Sequence, residues 1–316
     1  MNRFGSLLVV VALGLGSLVG TSGCELQKCE TETGDQALCA KSLKRYVGSD
    51  VTPAALPYTS GMDLTVDGMY GDINVVEGTS GEVSVVFEPF NYRAHDAEEQ
   101  ARDEMENNLD LSFEDTGDAI VVTTGRHDAT NGLGAEIFIH LPPEFDGALV
   151  LANDSDGPLN PGDIDAGYVG AAWSVDVSTN SLGHCNIDGE ASVISTRAHC
   201  DGTIVATGVS DDVDIVSTGF KQNVNVVLRS VAGADAGGSI TSSDGDISVS
   251  FPDGADFTVQ AQASDDATVS ASSLDVTCMA AVAAESSKSY TCGAGGPNFV
   301  VTAGTDGGPS AVTLSY

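Results

Sequence analysis

The chain has 316 residues, 46 of them acidic and 12 basic, so its formal net charge at pH 7 is −34. A surface of this charge repels nucleic acid and anionic lipid headgroups, which excludes a nucleic-acid-binding function. It is compatible with divalent cations and basic partners, or simply with a solvated surface in saline surroundings.

The N-terminus has the three parts of a secretory signal. A positive charge at Arg3 precedes an apolar run from Leu7 to Leu15, and small residues then lead to Cys24. The apolar run is shorter than the stretch of about 20 residues that a membrane-spanning helix needs. We therefore interpret residues 1–23 as a signal peptide that is removed after export.

The cleavage site resembles the lipobox of bacterial lipoproteins, in which small residues precede an obligatory cysteine. Ser22, Gly23 and Cys24 match this pattern, whereas Thr21 stands where leucine is usual. The resemblance implies that Cys24 carries lipid and anchors the chain in the bacterial cell envelope, at the outer membrane or cell surface. The alternative is an ordinary secreted protein in which Cys24 is free or disulfide-bonded.

The cysteine count is odd for an exported protein. Seven cysteines leave one thiol unpaired, and assigning Cys24 to lipid leaves six that cluster in local pairs. Oxidising compartments favour disulfides, and local pairing is the simplest arrangement, although spacing alone leaves the connectivity open. The expected pairs are Cys29–Cys39, Cys185–Cys200 and Cys278–Cys292.

Residues 24–58 are interpreted as a tether, because Pro53 and Pro57 disfavour continuous secondary structure. From about residue 59, apolar and polar residues alternate in short runs separated by Gly, Asp, Ser and Thr, which is typical of half-buried strands. One short helix is expected near residues 95–108, where helix formers occur without Gly or Pro. Its thin apolar stripe indicates weak packing on a sheet edge, with partner binding as the alternative.

A five-residue unit recurs along the chain: glycine, an acid, Ile or Val, a polar residue, then Val or Ala. Ser-Thr dipeptides at 178–179, 195–196 and 217–218 suggest successive rungs, two of which carry a His-Cys pair. These repeated short strands predict an all-β fold, a β-solenoid-like stack of short strands. Their irregular spacing indicates a degenerate solenoid and not a strict repeat array. The recurring unit occurs at Gly71–Val75, Gly81–Val85, Gly162–Ala166 and Gly245–Val249, with a degenerate copy at Asp212–Ile215.

Residues 240–265 resemble the bacterial DUF4097 family of adhesin-like proteins. The resemblance lies in a turn at Asp244–Ile247, a turn at Pro252–Ala255 and a strand at Phe257–Ala261, with Asp244 where the family more often has serine. Extended over about residues 60–272, it implies a β-solenoid-like domain on the cell envelope. We divide the chain after the tether into a β domain, 59–273, and a C-terminal β extension with a disulfide, 274–316.

Chemical motifs are few. No serine-nucleophile elbow, phosphate-binding loop or zinc-protease motif occurs. His184-Cys185 and His199-Cys200 could form a zinc site, but neighbouring strand residues point to opposite faces and export favours the disulfide. Asn153–Gly157 and Ser243–Asp246 place carboxylates near turns, yet neither completes a calcium-binding loop. We therefore expect no metal site and no cofactor, with calcium as an alternative.

These features favour a non-enzymatic envelope lipoprotein that acts as a surface scaffold or adhesin-like module. It would meet the membrane through lipid on Cys24 and would contact a protein or polysaccharide through an extended β surface. No catalytic residues are expected. Two alternatives remain, a polysaccharide-active enzyme on the same scaffold and a calcium-dependent binding module.

Overall fold

The computed structural model describes residues 24–30, 36–94, 97–127, 132–153, 162–169, 172–179, 183–188, 195–210, 212–231, 236–264, 266–306 and 309–316. The interpreted signal peptide, residues 1–23, lies outside the described residues. The side chains of residues 24–42 are also outside the description. Lipid on Cys24 and the Cys29–Cys39 pair therefore stay predictions.

The described residues form twenty-five strands and two helices. In chain order they are β1 (Cys24–Glu30), β2 (Gln36–Val47), β3 (Leu56–Pro57), β4 (Asp63–Gly68), β5 (Ile73–Glu77), β6 (Glu82–Ala94), α1 (Glu98–Asn107), β7 (Leu109–Asp115), β8 (Ala119–Arg126), β9 (Leu133–Leu141), β10 (Ala148–Asn153), β11 (Ile164–Ala166), β12 (Ser174–Thr179), β13 (Cys185–Asp188), β14 (Ser195–Cys200), β15 (Ile204–Ser210), β16 (Asp212–Phe220), β17 (Val224–Ser230), β18 (Gly237–Asp244), β19 (Ile247–Ser250), β20 (Phe257–Gln262), β21 (Val269–Ser270), α2 (Leu274–Thr277), β22 (Met279–Ala284), β23 (Ser287–Cys292), β24 (Asn298–Ala303) and β25 (Val312–Ser315).

The chain alternates between two sheets and so builds a two-layer solenoid. The first sheet has the order β1-β2-β6-β9-β5-β11-β13-β15-β17-β19-β25-β21, with β3 on β6, and the second has the order β22-β23-β20-β24-β18-β16-β14-β12-β10-β4-β8-β7. Neighbouring strands are parallel from β9 to β21 in the first sheet. They are also parallel from β8 to β20 in the second. The predicted all-β, solenoid-like fold is confirmed.

Inward side chains stack in columns between the sheets, because strand residues two positions apart share a face. In β4, for example, Leu64 and Val66 are fully buried, as the alternating pattern predicts. Strand register aligns one such column across the first sheet, and every member is at most 1% exposed. The column consists of Ile73, Ile164, Cys185, Ile204, Val224, Ile247 and Val312.

Antiparallel strands and α1 cover the N-terminal end of the stack. The helix buries Ala101 and Met105 against the strands. Glu104 accepts hydrogen bonds from Asn91 Nδ2 at 2.7 Å and from Arg93 Nε at 2.8 Å. Burial raises the pKa of Glu104, but these donors outweigh burial and hold that pKa below its ordinary value. The helix predicted near 95–108 is confirmed over the described residues. These hydrogen bonds hold α1 on β6 more firmly than its narrow apolar stripe alone indicated.

The last strands of the chain are inserted into the sheets. β24 lies between β18 and β20, and β25 lies between β19 and β21. Residues 274–316 thus supply the α2 turn, the β22–β23 hairpin and one complete rung.

At the other terminus, residues 43–47 of the interpreted tether pair with β6. The division of the chain at residues 58 and 273 stays a prediction. No helix among the described residues is long and apolar enough to cross a bilayer.

Candidate functional site

The recurring glycine unit forms one corner of the solenoid. Gly71, Gly162 and Gly245 each stand two residues before a strand of the first sheet. A Cβ on Gly162 would overlap the carbonyl oxygen of Gly71, and a Cβ on Gly245 would overlap that of Gln222. Glycine is needed at these positions because a side chain there would overlap the backbone of the neighbouring rung.

The residue after each corner glycine carries a side chain that accepts a backbone N–H from the next rung. Asp72 Oδ1 accepts the N–H of Asp163 at 3.0 Å, and Asp163 Oδ1 accepts that of His184 at 2.8 Å. The acid of the repeat therefore has a structural role as an acceptor. Three further links follow, from Thr203 N–H to His184 Nδ1, from Asp246 N–H to Asn223 Oδ1 and from Ala311 N–H to Asp246 Oδ1.

This ladder bears on the calcium alternative. In the Ser243–Asp246 cluster, the Asp246 carboxylate accepts the Ala311 N–H at 2.7 Å. Residues 154–157 of the other cluster lie outside the described residues, and Asn153 is buried and donates to the Gly71 carbonyl. Among the described residues, no group of three or more His, Cys, Asp or Glu side chains is arranged to hold a metal ion.

The His-Cys dipeptides separate into two environments. Cys185 and Cys200 lie in the core at disulfide-bonding distance, with Cα atoms 6.4 Å apart. His184 accepts a bond in the corner ladder, and His199 Nε2 lies 3.1 Å from Asp214 Oδ2 on the outer face. The four residues do not converge on one ion, as the opposite directions of neighbouring strand residues predict. Cys278 and Cys292 are likewise at bonding distance, with Cα atoms 4.4 Å apart.

A polar network covers the middle of the outer face of the second sheet. Arg197 pairs with Asp176 at 3.3 Å, and Asp214 contacts His199 and accepts the Ser239 hydroxyl at 2.8 Å. Serine, histidine and aspartate meet here, but the carboxylate lies between the hydroxyl and the imidazole. Nucleophilic catalysis needs the imidazole in that middle position. The network links neighbouring rungs without forming a catalytic triad.

Two half-buried carboxylates lie together on the first sheet, where Glu88 and Glu136 are direct partners across β6 and β9. Arg45 Nη2 contacts Glu136 and lies 3.5 Å from Glu88, and its guanidinium stands 4.6 Å from the Phe90 ring centre. Burial raises the pKa of Glu136, and Arg45 partly offsets that rise. Because Arg45 occupies the space between the acids, a glycosidic bond cannot lie there as retaining or inverting hydrolysis requires.

An open groove of about 380 Å³ lies near the end of the second sheet that is formed by β22, β23, β20 and β24. We call this the distal end, because it is the end of the stack far from β4. Among the described residues that line this groove, Lys288 is the one that carries a charge, on a chain whose net charge is −34. Amides and hydroxyls can bind neutral polar groups, such as a peptide main chain or sugar hydroxyls. The described lining residues include no carboxylate, and Glu285 lies 3.9 Å from Lys288 at the hairpin tip. The other lining residues include Gln260, Gln262, Ser287, Ser289, Val300 and Thr302, with Ala281, Val282 and Ala283 of β22.

β22 forms the rim of this distal groove. All six of its residues are exposed, with Met279 at 74% and Val282 at 59%. In the described part of the chain it pairs with β23 alone, so its other edge faces solvent. The sequence analysis missed this strand because its alanines have low β-propensity and its residues do not alternate. The signal that could have revealed it is a run of six uncharged residues between Cys278 and Glu285 in a highly acidic chain.

No protein-family model matches the chain, and no curated protein matches it either. Among solved structures, a "putative cell adhesion protein" from Clostridium sporogenes ATCC 15579 is 12% identical, with a TM-score of 0.31 over 86% of this chain and 99% of that chain. A "putative adhesin" from Bacteroides fragilis NCTC 9343 is 11% identical, with a TM-score of 0.33 over 84% of this chain and 97% of that chain. These scores are too low to assign a family or a function, and the DUF4097 resemblance stays a prediction.

Proposed function

We propose that this protein is a non-enzymatic lipoprotein of the bacterial cell envelope, whose solenoid acts as a surface scaffold or adhesin-like binding module. One observation carries the proposal. The strand that begins at the expected lipid site, Cys24, and the hairpin that borders the distal groove lie at opposite ends of the stack. β1, which begins at Cys24, ends the first sheet on one side, and the β22–β23 hairpin ends the second sheet on the other.

The parallel rungs between these ends make a rigid spacer. The second sheet has twelve strands, and a spacing of about 4.8 Å between neighbours gives it a length of roughly 50 Å. Each rung is fixed to the next by strand pairing, and most steps of the corner add a side-chain-to-backbone link; at Thr203 the hydroxyl instead donates to Gln222 Oε1 at 2.9 Å. Lipid on Cys24 would therefore hold the N-terminal end at the bilayer and direct the distal groove away from it.

The chemistry of the distal groove supports binding rather than catalysis. Its lining offers amides, hydroxyls and small apolar side chains, which suit a neutral stretch of a protein or polysaccharide. The acids of the repeat are used as structural acceptors, and the Glu88–Glu136 pair is bridged by Arg45. An adhesin-like module needs no more than such a surface on a rigid support.

The anchor is tested by mass spectrometry of the membrane fraction from bacteria that express the chain. We expect an N-terminal peptide that begins at Cys24 and carries acyl chains, and we expect a Cys24→Ser variant to lose that modification. Protease added to intact cells should cleave the anchored chain. An unmodified peptide that contains Cys24 would contradict the anchor, and full protection of the chain on intact cells would contradict surface exposure.

The calcium-dependent alternative is tested separately by thermal melting of the chain with added calcium and with EDTA. A binding module that needs no ion should melt at the same temperature in both. A higher melting temperature with calcium, reversed by EDTA, would replace the proposal with the calcium-dependent one, because a ligand that binds the folded state stabilises it.

A further inference from the structure

We propose that β22 is a docking edge for an extended, basic peptide segment of a partner protein, which adds to the second sheet as a further strand. The inference rests on the proposed binding function and names the class of its partner. Main-chain hydrogen bonds to the free edge would supply affinity, and alternate side chains of the added strand would lie over the distal groove.

β22 carries less protection than the other terminal strands, namely one register shift against β23 between Val282 and Ala284. Sheet edges are usually guarded by charged residues, by proline or by shortness. β7 includes Asp110, Glu114 and Asp115, β1 also includes charged residues, and β21 is only two residues long. β22 has six residues with no charge and no proline, and all six are exposed. An exposed, uncharged edge of this length is a template for a further strand.

The β22 edge is held in place before any partner arrives. Met279 is the register partner of Thr291, so the Cys278–Cys292 disulfide closes the open end of the hairpin. β23 pairs with β20 along its whole length, from Cys292 to Ser287. The hairpin is fixed at both its base and its side, so it is already ordered before a strand docks. Binding therefore loses less conformational entropy, which increases affinity.

Charge favours a basic peptide over a second copy of this chain as the partner. Two copies would bring together surfaces of net charge −34 each, and like charge disfavours that association. Glu285 at the hairpin tip lies 3.9 Å from Lys288, and its side chain is 83% exposed, so it can also face a lysine or arginine of the partner.

The test uses the full-length chain purified in detergent and a fluorescent peptide of alternating lysine and valine as the probe. Peptides with threonine or glutamate in place of lysine are the matched comparisons. Fluorescence anisotropy should rank the affinities lysine above threonine above glutamate. The difference between the first and last should be about tenfold or more, because the chain's field attracts one and repels the other. A preference for the glutamate peptide, or no binding of any of the three, would overturn the inference.

Proline substitutions locate the binding edge. Neighbouring strand residues direct their N–H groups to opposite edges, so Ala280→Pro and Ala281→Pro differ in which edge they interrupt. The variant that keeps the wild-type melting temperature has lost only an outward N–H, and it should bind the lysine peptide about tenfold more weakly. Phe220→Ala, which alters a 70% exposed side chain at the end of β16, is the control and should bind normally. Unchanged binding in both proline variants would refute the docking edge.

Two other outcomes would assign the surface to a different occupant. Sedimentation that shows a dimer of wild type but not of the edge-blocking proline variant would make a second copy the occupant. Competition by a neutral dextran that is abolished by Gln260→Ala but not by the proline variants would make it a polysaccharide. These measurements are made in solution, so their failure would leave the anchor and orientation of the proposed function untouched.

Discussion

The Asp163 carboxylate accepts the backbone N–H of His184 at 2.8 Å, which joins two neighbouring rungs of the solenoid. The N–H of Asp163 is in turn donated to Asp72 on the rung before, at 3.0 Å. These links lie at a corner, where the chain leaves one sheet and enters the other. Each satisfies a main-chain donor that would otherwise have to be hydrated at every turn of the stack.

The first prediction concerns this ladder. Asp163→Ala removes the acceptor for His184 and should lower the free energy of unfolding by about 1 kcal/mol, the usual value of one hydrogen bond. Asp163→Asn keeps an acceptor oxygen, so its free energy of unfolding should fall by less. Urea unfolding followed by circular dichroism measures both. Equal losses in the two variants would show that charge, and not the acceptor, is what the corner needs.

The second prediction concerns the corner glycines. Gly245→Ala would place a methyl group against the backbone carbonyl of Gln222 and should destabilise the fold by about 1–3 kcal/mol, because the stacked rungs must move apart. Gly125→Ala is the matched control, since its Cβ would meet nothing closer than 3.6 Å. Thermal melting of the two variants should differ clearly. Similar melting temperatures would contradict the close approach of the rungs.

Local pattern predicted the strands well because burial in each rung repeats every two residues. It also identified the corner glycine and acid at 71–75, 162–166 and 245–249. The same unit at 81–85 begins β6, where Gly81 is the last residue of the preceding turn, at positive φ and with open space where a Cβ would lie. A glycine followed by an acid suits more than one kind of turn, so the motif alone does not identify the corner.

Rung register could not be predicted from the same pattern. The Ser-Thr alignment placed 178–179 level with 195–196, but Ser178 is level with His199, and Ser195 is level with Ser174. A period of two permits such slips, because it fixes the face of a side chain and not its partner strand. The insertion of β24 between β18 and β20 depends on contacts far apart in sequence, and no local signal marks it.

The third prediction concerns the two described disulfides. Each closes a loop of similar length, 15 residues for Cys185–Cys200 and 14 for Cys278–Cys292. Replacing either pair by alanines should cost about 3 kcal/mol through the entropy of the unfolded chain. The Cys185–Cys200 pair should cost more, since both sulfurs also fill the core. Calorimetry of the double variants measures this order, and the reverse order would contradict the core position of Cys185.

The fourth prediction concerns pH. Asp146 accepts hydrogen bonds from Ser60 Oγ and Tyr58 OH at 2.6 Å and from Gly61 N at 2.7 Å. These bonds lower the pKa of Asp146 from 3.8 to about 2, with the Ser60 hydroxyl contributing most.

A carboxyl whose pKa is lowered by folding contributes stability above its unfolded pKa of 3.8 and loses it as the pH falls towards 2. The stability difference between wild type and Asp146→Asn should therefore be largest near neutral pH and shrink below 3.8. Urea unfolding of both chains across this range measures the difference. A difference that stayed constant down to the lowest pH would show that Asp146 is not held ionised by these donors.

The central claim is that the solenoid is anchored at its N-terminal end and holds the distal groove away from the membrane. Energy transfer from a dye on the chain to an acceptor in the bilayer tests it, with the lipidated full-length chain in vesicles. Val51 lies beside β6 near the N-terminal end of the stack, and Val282 lies on β22, both with exposed side chains. We predict strong transfer from a dye at Val51 and weak transfer from one at Val282, which is roughly 50 Å further along the stack. Equal transfer from both positions, or stronger transfer from Val282, would contradict the account.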